Sequence, residues 1–153
     1  FVRSDIPDLE FYARKVASVH GERHPELVEI YQLFMQLKDE LLDHLDKEEV
    51  ILFPYVKKLV RAEQEGSSVK DEADFGPAAD PVSMMEAEHE EAGEIMETIQ
   101  NLSDNFTPPE DACASYRVLF ESLEGFQIDL HKHVHLENNI LFPKALELEK
   151  RIN

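Results

Sequence analysis

The sequence predicts an all-α protein, an antiparallel (up-down-up-down) four-helix bundle, on three observations. Long segments place apolar residues at spacings of three and four, the period of one helix face. No long stretch alternates β-branched and polar residues, and only 5 glycines interrupt the 153 residues. Turn-forming residues divide the chain into four such segments. Four helices in a chain of this length indicate a single domain over residues 1–153.

Start and stop signals bound the first two helices. Residues 4–7 read SDIP, which is typical of a helix start, and the apolar pattern then continues to Gly21. Pro25 suits the first position of helix two, whose apolar pattern ends near Gly66. Pro54 lies inside helix two and should kink it, because a proline has no N–H to donate to the preceding turn.

The second half of the chain repeats this organisation. Residues 66–80 have the composition of a loop, and helix three is predicted to run from about Pro81 to Leu102. A connection over residues 104–107 leads to helix four, which the Pro-Pro pair beginning at Pro108 is expected to open. Helix four contains a second internal proline, Pro143.

Charge and cysteine content narrow the function classes. The 33 Asp and Glu against 15 Lys and Arg give a formal net charge of −18, which disfavours nucleic acid and anionic membranes as partners. No apolar run approaches the ~20 residues of a membrane span, and we expect no secretory signal within the residues of this sequence. The single Cys113 cannot form an internal disulfide; we expect it to be a small, buried or half-buried helix residue in a cytoplasmic protein. Because the chain begins with Phe1, we expect an N-terminal piece to be missing.

Helices two and four contain the same eleven-residue phrase. Residues 44–54 read HLDKEEVILFP and residues 133–143 read HVHLENNILFP, with His, Glu, Ile, Leu, Phe and Pro at identical offsets. A repeated core pattern would explain the apolar positions but not the His and the Glu. The plainer alternative is that two related amphipathic helices each turn these polar residues toward solvent.

The His-to-Glu spacing suits metal binding. Residues four apart on a helix lie one above the other, so His44 with Glu48, and His133 with Glu137, each present an imidazole and a carboxylate together. Leucine and isoleucine neighbours, among them Ile140, place both pairs on inward faces. A carboxylate turned toward a bundle core is costly unless it is paired or binds a metal. The two pairs therefore predict a site for two metal ions, with the glutamates as bridges.

Helix three supplies a fifth candidate, His89, which lies on the inner face between Met85 and Ala92. Taken alone it could be a histidine satisfied within the core. Nitrogen and oxygen donors without thiolate suit iron, manganese or zinc, and two six-coordinate iron ions with an oxo or hydroxo bridge fit best. Ferritin-like sites use two Glu-x-x-His pairs, whereas this chain has one, Glu86 with His89.

The remaining histidines are predicted to lie away from this site. His20 and His24 fall at the first helix–helix turn, and His131 and His135 point away from His133 around helix four. Glu40 and Glu88 are expected to be solvated carboxylates, with a role behind the ligands or along an ion path as the alternative. In an antiparallel hairpin the helix-one residue level with His44 falls at or before Phe1, so any helix-one ligand lies outside this sequence.

The phrases HLDKEEVILFP, EAEHEEAGEIM, NFTPPEDAC and HVHLENNILFP resemble the hemerythrin-like domain of the Repair of Iron Centers family. That family consists of di-iron proteins that restore damaged iron–sulfur clusters, and the likeness covers essentially the whole chain. It implies a bacterial cytoplasmic protein induced by nitric oxide or oxidant stress, with labile iron. The family's ligands fall on the following residues: His44, Glu48, His89, His133 and Glu137. The family's helix-one His and small cysteine-containing N-terminal domain would precede Phe1.

Three functions follow from these observations. The first is a metal-handling repair factor whose partners are damaged iron–sulfur proteins. The second is a hemerythrin-type carrier or sensor that binds O2 or NO. The third is a turnover enzyme such as a nitric oxide reductase or peroxidase, for which the sequence supplies no evident acid–base or electron-partner site. Whether the chain is an enzyme therefore stays open, as does its oligomeric state, with a homodimer as one candidate.

Overall fold

The computed structural model describes residues 2–66 and 79–152, and every regular element in these ranges is helical. The α-helices and the two five-residue π-helical segments follow in chain order: α1 Val2–His20, α2 Glu26–Lys47, π1 Glu48–Leu52, α3 Phe53–Glu65, α4 Ala79–Leu102, α5 Ala114–Leu136, π2 Glu137–Leu141 and α6 Phe142–Ile152. Since α2–π1–α3 and α5–π2–α6 are each continuous, the chain forms four long helices. The predicted all-α four-helix bundle is confirmed.

The contacts divide the chain into two units. The first comprises Phe1–Leu42 and Glu91–Lys132, and the second comprises Asp43–Glu90 and His133–Asn153. The first unit thus contains α1 with parts of α2, α4 and α5. The second contains the remaining parts of α2, α4 and α5 with π1, α3, π2 and α6. No helix in the described ranges is long and apolar enough to cross a membrane.

Aromatic side chains fill the core of the first unit. The rings of Phe34 and Phe126 meet edge to face at 6.0 Å, and those of Tyr116 and Phe120 at 4.9 Å. All four side chains are buried. Burying such a side chain contributes about 1.5–3 kcal/mol relative to leaving it in water, so these contacts are a main source of stability here.

The connection between α4 and α5 is longer than predicted. Helix four was expected to open at Pro108, but α5 begins only at Ala114. The residues 104–106 adopt positive φ, between 52° and 60°, and the backbone N–H of Ala112 donates to the carbonyl of Pro109 in a separate turn. Left-handed residues cannot continue a right-handed helix, and so the chain requires this additional segment before α5 can start.

In the second unit two groups of buried residues surround the ends of the π segments. One consists of Leu52, Val82, Met85 and Phe142. The other consists of Tyr55, Leu59, Ala62 and Leu148, which join α3 to α6.

Gly66 closes α3 in the left-handed conformation (φ 70°), with its N–H donating to the carbonyls of Ala62 and Glu63, as the predicted helix end requires. Most of the predicted 66–80 loop lies outside the described residues.

Pro54 and Pro143, the internal prolines of the repeated phrase, each lie just after a π segment. The N–H of Phe53 donates to the carbonyl of Glu48, and the N–H of Phe142 donates to that of Glu137, both five residues back. The extra residue in the turn accommodates the following proline, whose ring would otherwise meet the carbonyl four residues before it. It also rotates the residues around the axis, and Ile140 is 42% exposed where the α-helical pattern predicted an inward side chain. Cys113, expected to be buried or half-buried, is exposed as well.

Candidate metal centre

The five predicted ligand residues all lie in the second unit and come together there. His44 lies in the last turn of α2 and Glu48 opens π1, whereas His133 lies in the last turn of α5 and Glu137 opens π2. His89 enters from α4. Each residue offers one donor atom, and all five atoms lie within 4.8 Å of one another.

The donor atoms are close and shielded from water. His44 Nε2 lies 2.7 Å from Glu48 Oε1, and His133 Nε2 lies 2.5 Å from Glu137 Oε1. His89 Nε2 lies 3.1 Å from Glu137 Oε1. The side chains of His44, Glu48 and His89 are each 2% exposed, that of Glu137 5%, and that of His133 25%. The polar cluster therefore lies in the buried interior of the second unit, which is otherwise apolar.

The carboxylates and imidazoles shift one another's pKa. Burial alone would lower the pKa of His44, yet the carboxylates of Glu137 and Glu48 raise it to about 10. Glu137, with Glu48, raises the pKa of His133 to about 9. Burial opposes ionisation of both glutamates, but the three imidazoles, His133 first, hold the pKa of each carboxyl below its usual value. The buried carboxylates thus require positive charge beside them.

Hydrogen bonds on the outer side of two rings fix which nitrogen faces the cluster. His44 Nδ1 donates to Glu88 Oε2 at 3.1 Å, and His89 Nδ1 donates to Asn138 Oδ1 at 2.9 Å. In a neutral imidazole the other nitrogen, Nε2, then carries a lone pair and no hydrogen. The two Nε2 atoms lie 2.9 Å apart. Two such lone pairs repel at this distance, so a proton or a metal cation must accompany them.

Several buried polar atoms have no aligned hydrogen-bond partner among the described residues. They are Glu48 Oε1, His133 Nε2 and both carboxylate oxygens of Glu137. Each such atom costs about 1–3 kcal/mol if left unsatisfied, and more where the group is charged. Five donor atoms within 4.8 Å of one another, at short distances without hydrogen-bond alignment, are an arrangement that a cation can satisfy. The donor set fits a metal, with three imidazole nitrogens and two carboxylates.

The other candidate residues lie as follows. His131 and His135 are exposed, as predicted. His20 ends α1 with its Nε2 3.2 Å from Cys113 Sγ, and His24 contacts the carboxylate of Asp111 at 3.0 Å. Both belong to the first unit and not to this cluster, in agreement with their predicted position at a turn.

The position of Glu88 differs from the one predicted from the sequence. It was expected to be solvated, but it accepts hydrogen bonds from His44 Nδ1 and from Lys47 Nζ, each at 3.1 Å. Lys47 lies one turn after Asp43 and contacts it as well. Asn138 was missed altogether; its adjacency to Glu137 was the available signal. Glu40 accepts a hydrogen bond from Gln36 on its own helix, as a surface carboxylate does.

Comparison with known proteins agrees with this geometry. Residues 2–145 match the hemerythrin HHE cation-binding domain. The chain belongs to the hemerythrin family. This confirms the resemblance found in the sequence and, together with the His and Glu cluster, indicates that the hemerythrin domain binds metal.

Relatives of this hemerythrin domain include named repair proteins. The chain is 39% identical to a "Probable iron-sulfur cluster repair protein" of Haemophilus influenzae over 144 residues, 94% of this chain and 58% of the relative. It is 36% identical to "Iron-sulfur cluster repair protein YtfE" of Enterobacter, covering 94% and 59% of the two chains. For the Cronobacter sakazakii protein of the same name the identity is 38%, covering 97% and 61%. The chain thus spans about three fifths of the length of these relatives.

Proposed function

We propose that this hemerythrin domain holds two iron ions through His44, Glu48, His89, His133 and Glu137. Three imidazoles and two carboxylates, with no thiolate, are donors that suit iron at an N/O site. The glutamates occupy equivalent places at the starts of π1 and π2, and Glu137 has both oxygens without an aligned hydrogen bond. A bridge between two cations uses both oxygens of a carboxylate, and this supports the dinuclear proposal.

We further propose that the domain supplies iron to iron–sulfur clusters damaged by nitric oxide or oxidant stress in a reducing, cytoplasmic setting. The observation that carries this function is the composition of the site. Three nitrogen donors and two carboxylates cannot fill the twelve coordination positions of two octahedral ions, so iron held there retains exchangeable positions. The names of the relatives support the same function. Damaged iron–sulfur proteins are then the partners, and iron is the cargo.

Reversible binding of O2 or NO is the second candidate. It is favoured by the apolar wall beside the cluster, where Phe142 is 0% exposed and Met85 is 1% exposed. Apolar side chains at such a place favour small neutral molecules over water. A carrier or sensor, however, must retain its metal while the gas binds and leaves, whereas a repair factor must give the metal up.

Iron transfer distinguishes the two candidates. Iron-loaded protein is mixed anaerobically with an iron–sulfur protein whose cluster has been damaged, together with a sulfide source. We expect the domain to lose iron as the acceptor's activity returns, and a His44→Ala variant to deliver none. Iron that stays with the domain while O2 or NO binds and dissociates would instead establish the carrier or sensor function.

A further inference from the structure

The two copies of the internal repeat are equivalent in sequence but not in surroundings. His44 and His133 occupy the same position in their phrases, each four residues before a glutamate that opens a π segment. The side chain of His44 is 2% exposed and that of His133 is 25% exposed. This difference is internal to one chain and separates the two halves of the proposed metal site.

The His44 ring is held on its outer side. Its Nδ1 donates to the carboxylate of Glu88, which in turn pairs with the ammonium group of Lys47. A carboxylate behind an imidazole fixes the orientation of the ring and increases the electron density of the nitrogen that faces the metal. Glu88 lies on α4 while His44 lies on α2, so the bond also ties the two helices together beside the site.

The His89 ring is held by a neutral group and by packing. Its Nδ1 donates to Asn138 Oδ1 at 2.9 Å, and its ring lies parallel to that of Phe142, with centroids 5.9 Å apart and an angle of 7°. Asn138 comes from π2 and Phe142 from α6, which follow His133 along the chain.

Among the described residues the His133 ring is held only by groups of the site itself, and its ring contacts are to His89 at 5.8 Å and His44 at 6.4 Å. Among the described residues no hydrogen-bond partner is found for its Nδ1, and its Nε2 is also without an aligned one. Within the described part of the chain, its short polar contacts are to the carboxylates of Glu48 and Glu137, the groups that share the metal site with it. A ring that is a quarter exposed and has no hydrogen bond on its outer side can rotate away from the site more easily than one buried against a charged partner.

We propose that the three histidines hold metal unequally. His44 and His89 remain bound, positioned by Glu88 and Asn138, and His133 is the ligand that dissociates from the metal first. This inference rests on the proposed two-metal site and assigns the side from which iron leaves it. The device is the asymmetry between two copies of one repeat.

Release kinetics test the proposal without any repair assay. The protein is loaded anaerobically with ferrous iron and mixed with excess of a colorimetric ferrous chelator. We expect two phases of equal amplitude, with the first at least tenfold faster. Glu88→Gln should accelerate the slow phase by about 10- to 100-fold, the range by which loss of a partner behind a ligand weakens metal binding. Asn138→Ala should accelerate the slow phase as well.

Two neighbouring residues provide matched controls. Glu90→Gln removes the same charge from an exposed position on α4, and Asn139→Ala removes an exposed amide that contacts the non-ligand His135. Both should leave the two phases unchanged. The melting temperature of each metal-free variant checks that the fold is retained.

Two results would overturn the proposal. One is iron release in a single phase by the unmodified protein. The other is slow-phase rates in Glu88→Gln and Asn138→Ala equal to those of their controls. Failure of the cluster-repair function is distinguishable, because a domain that binds two irons and releases them in two phases, yet restores no cluster, contradicts that function alone.

Discussion

His44 and His89 face each other through their Nε2 atoms at 2.9 Å, while each Nδ1 donates to an acceptor behind its ring. If both rings are neutral, neither Nε2 carries a hydrogen, so no hydrogen bond can join them. The adjacent carboxylates add negative charge at the same place. Protons satisfy this arrangement in the metal-free protein, and metal ions satisfy it in the loaded protein.

Replacing single ligands should change the stoichiometry of bound iron. His44→Ala or His133→Ala should reduce iron well below two per chain, because each removes a nitrogen donor from a site with few of them. Glu48→Ala and Glu137→Ala should abolish magnetic coupling between the irons, as measured by Mössbauer spectroscopy. His131→Ala and His135→Ala, both on the exposed side of α5, are the controls and should retain the full metal content. Two coupled irons in the ligand variants would show that the cluster is not the binding site.

Metal removal should destabilise the domain without unfolding it. The buried glutamates lose their cations and retain only protonated imidazoles as partners, which compensates the charge incompletely. We expect the metal-free form to melt at least about 5 °C below the iron-loaded form at neutral pH. Calorimetry on both forms measures this directly. Equal melting temperatures would mean that the two glutamates do not gain a cation on loading.

Phe142 should contribute to metal binding through the ring it stacks upon. Phe142→Leu preserves an apolar side chain in the core but removes the flat surface against His89, so we expect weaker metal binding with a stability loss of about 1–2 kcal/mol. Titration with Co²⁺, followed by its visible absorption, reports the affinity. Phe53→Leu, at the equivalent position of the first repeat and packed on the same apolar group, is the matched control. Equal affinities of the two variants would rule out a role for the stacking.

Stability at high pH should depend on Tyr116. Burial, together with the negative charges of Glu26 and Asp111, raises the pKa of its phenol to about 12. The folded state thus favours the neutral phenol, and this stabilisation is complete below the unfolded pKa of about 10 and is lost as the pH rises toward 12. The free energy of unfolding of Tyr116→Phe should therefore fall less between about pH 9 and pH 12 than that of the unmodified protein.

Denaturant titrations across this pH range provide the measurement for Tyr116. Tyr12→Phe, on α1, leaves Tyr116 in place and should follow the unmodified protein. If Tyr116→Phe and the unmodified protein lose stability in parallel, ionisation of this tyrosine does not limit the alkaline stability of the domain.

The sequence was most informative where spacing along one helix decides the outcome. His44 with Glu48 and His133 with Glu137 could be paired because residues four apart share a helix face. Spacing along one helix did not identify Asn138 and left a role for Glu88 only as an alternative. Each acts on a histidine of a different helix, and the side chains of adjacent residues diverge by about 100°. The surface exposure of Ile140 could not be predicted either. The added residue of a π turn shifts the position around the helix that an α-helical period assigns to each later residue.

Because of the π segments, the number of residues in this part of the chain is more constrained than the identity of those residues. Beyond π1 and π2 the helices α3 and α6 pack against each other through Leu59 and Leu148. Deleting one residue between positions 49 and 51 would restore an ordinary α-helical turn and leave α3 on nearly the same face, but it would bring the ring of Pro54 against the carbonyl four residues before it. Inserting one residue there would instead rotate all of α3 by about 100° relative to Glu48, so that either the glutamate or Leu59 would face the wrong way. Substitutions at the exposed positions of these turns should consequently be tolerated, while a one-residue insertion in either copy should separate metal binding from helix packing.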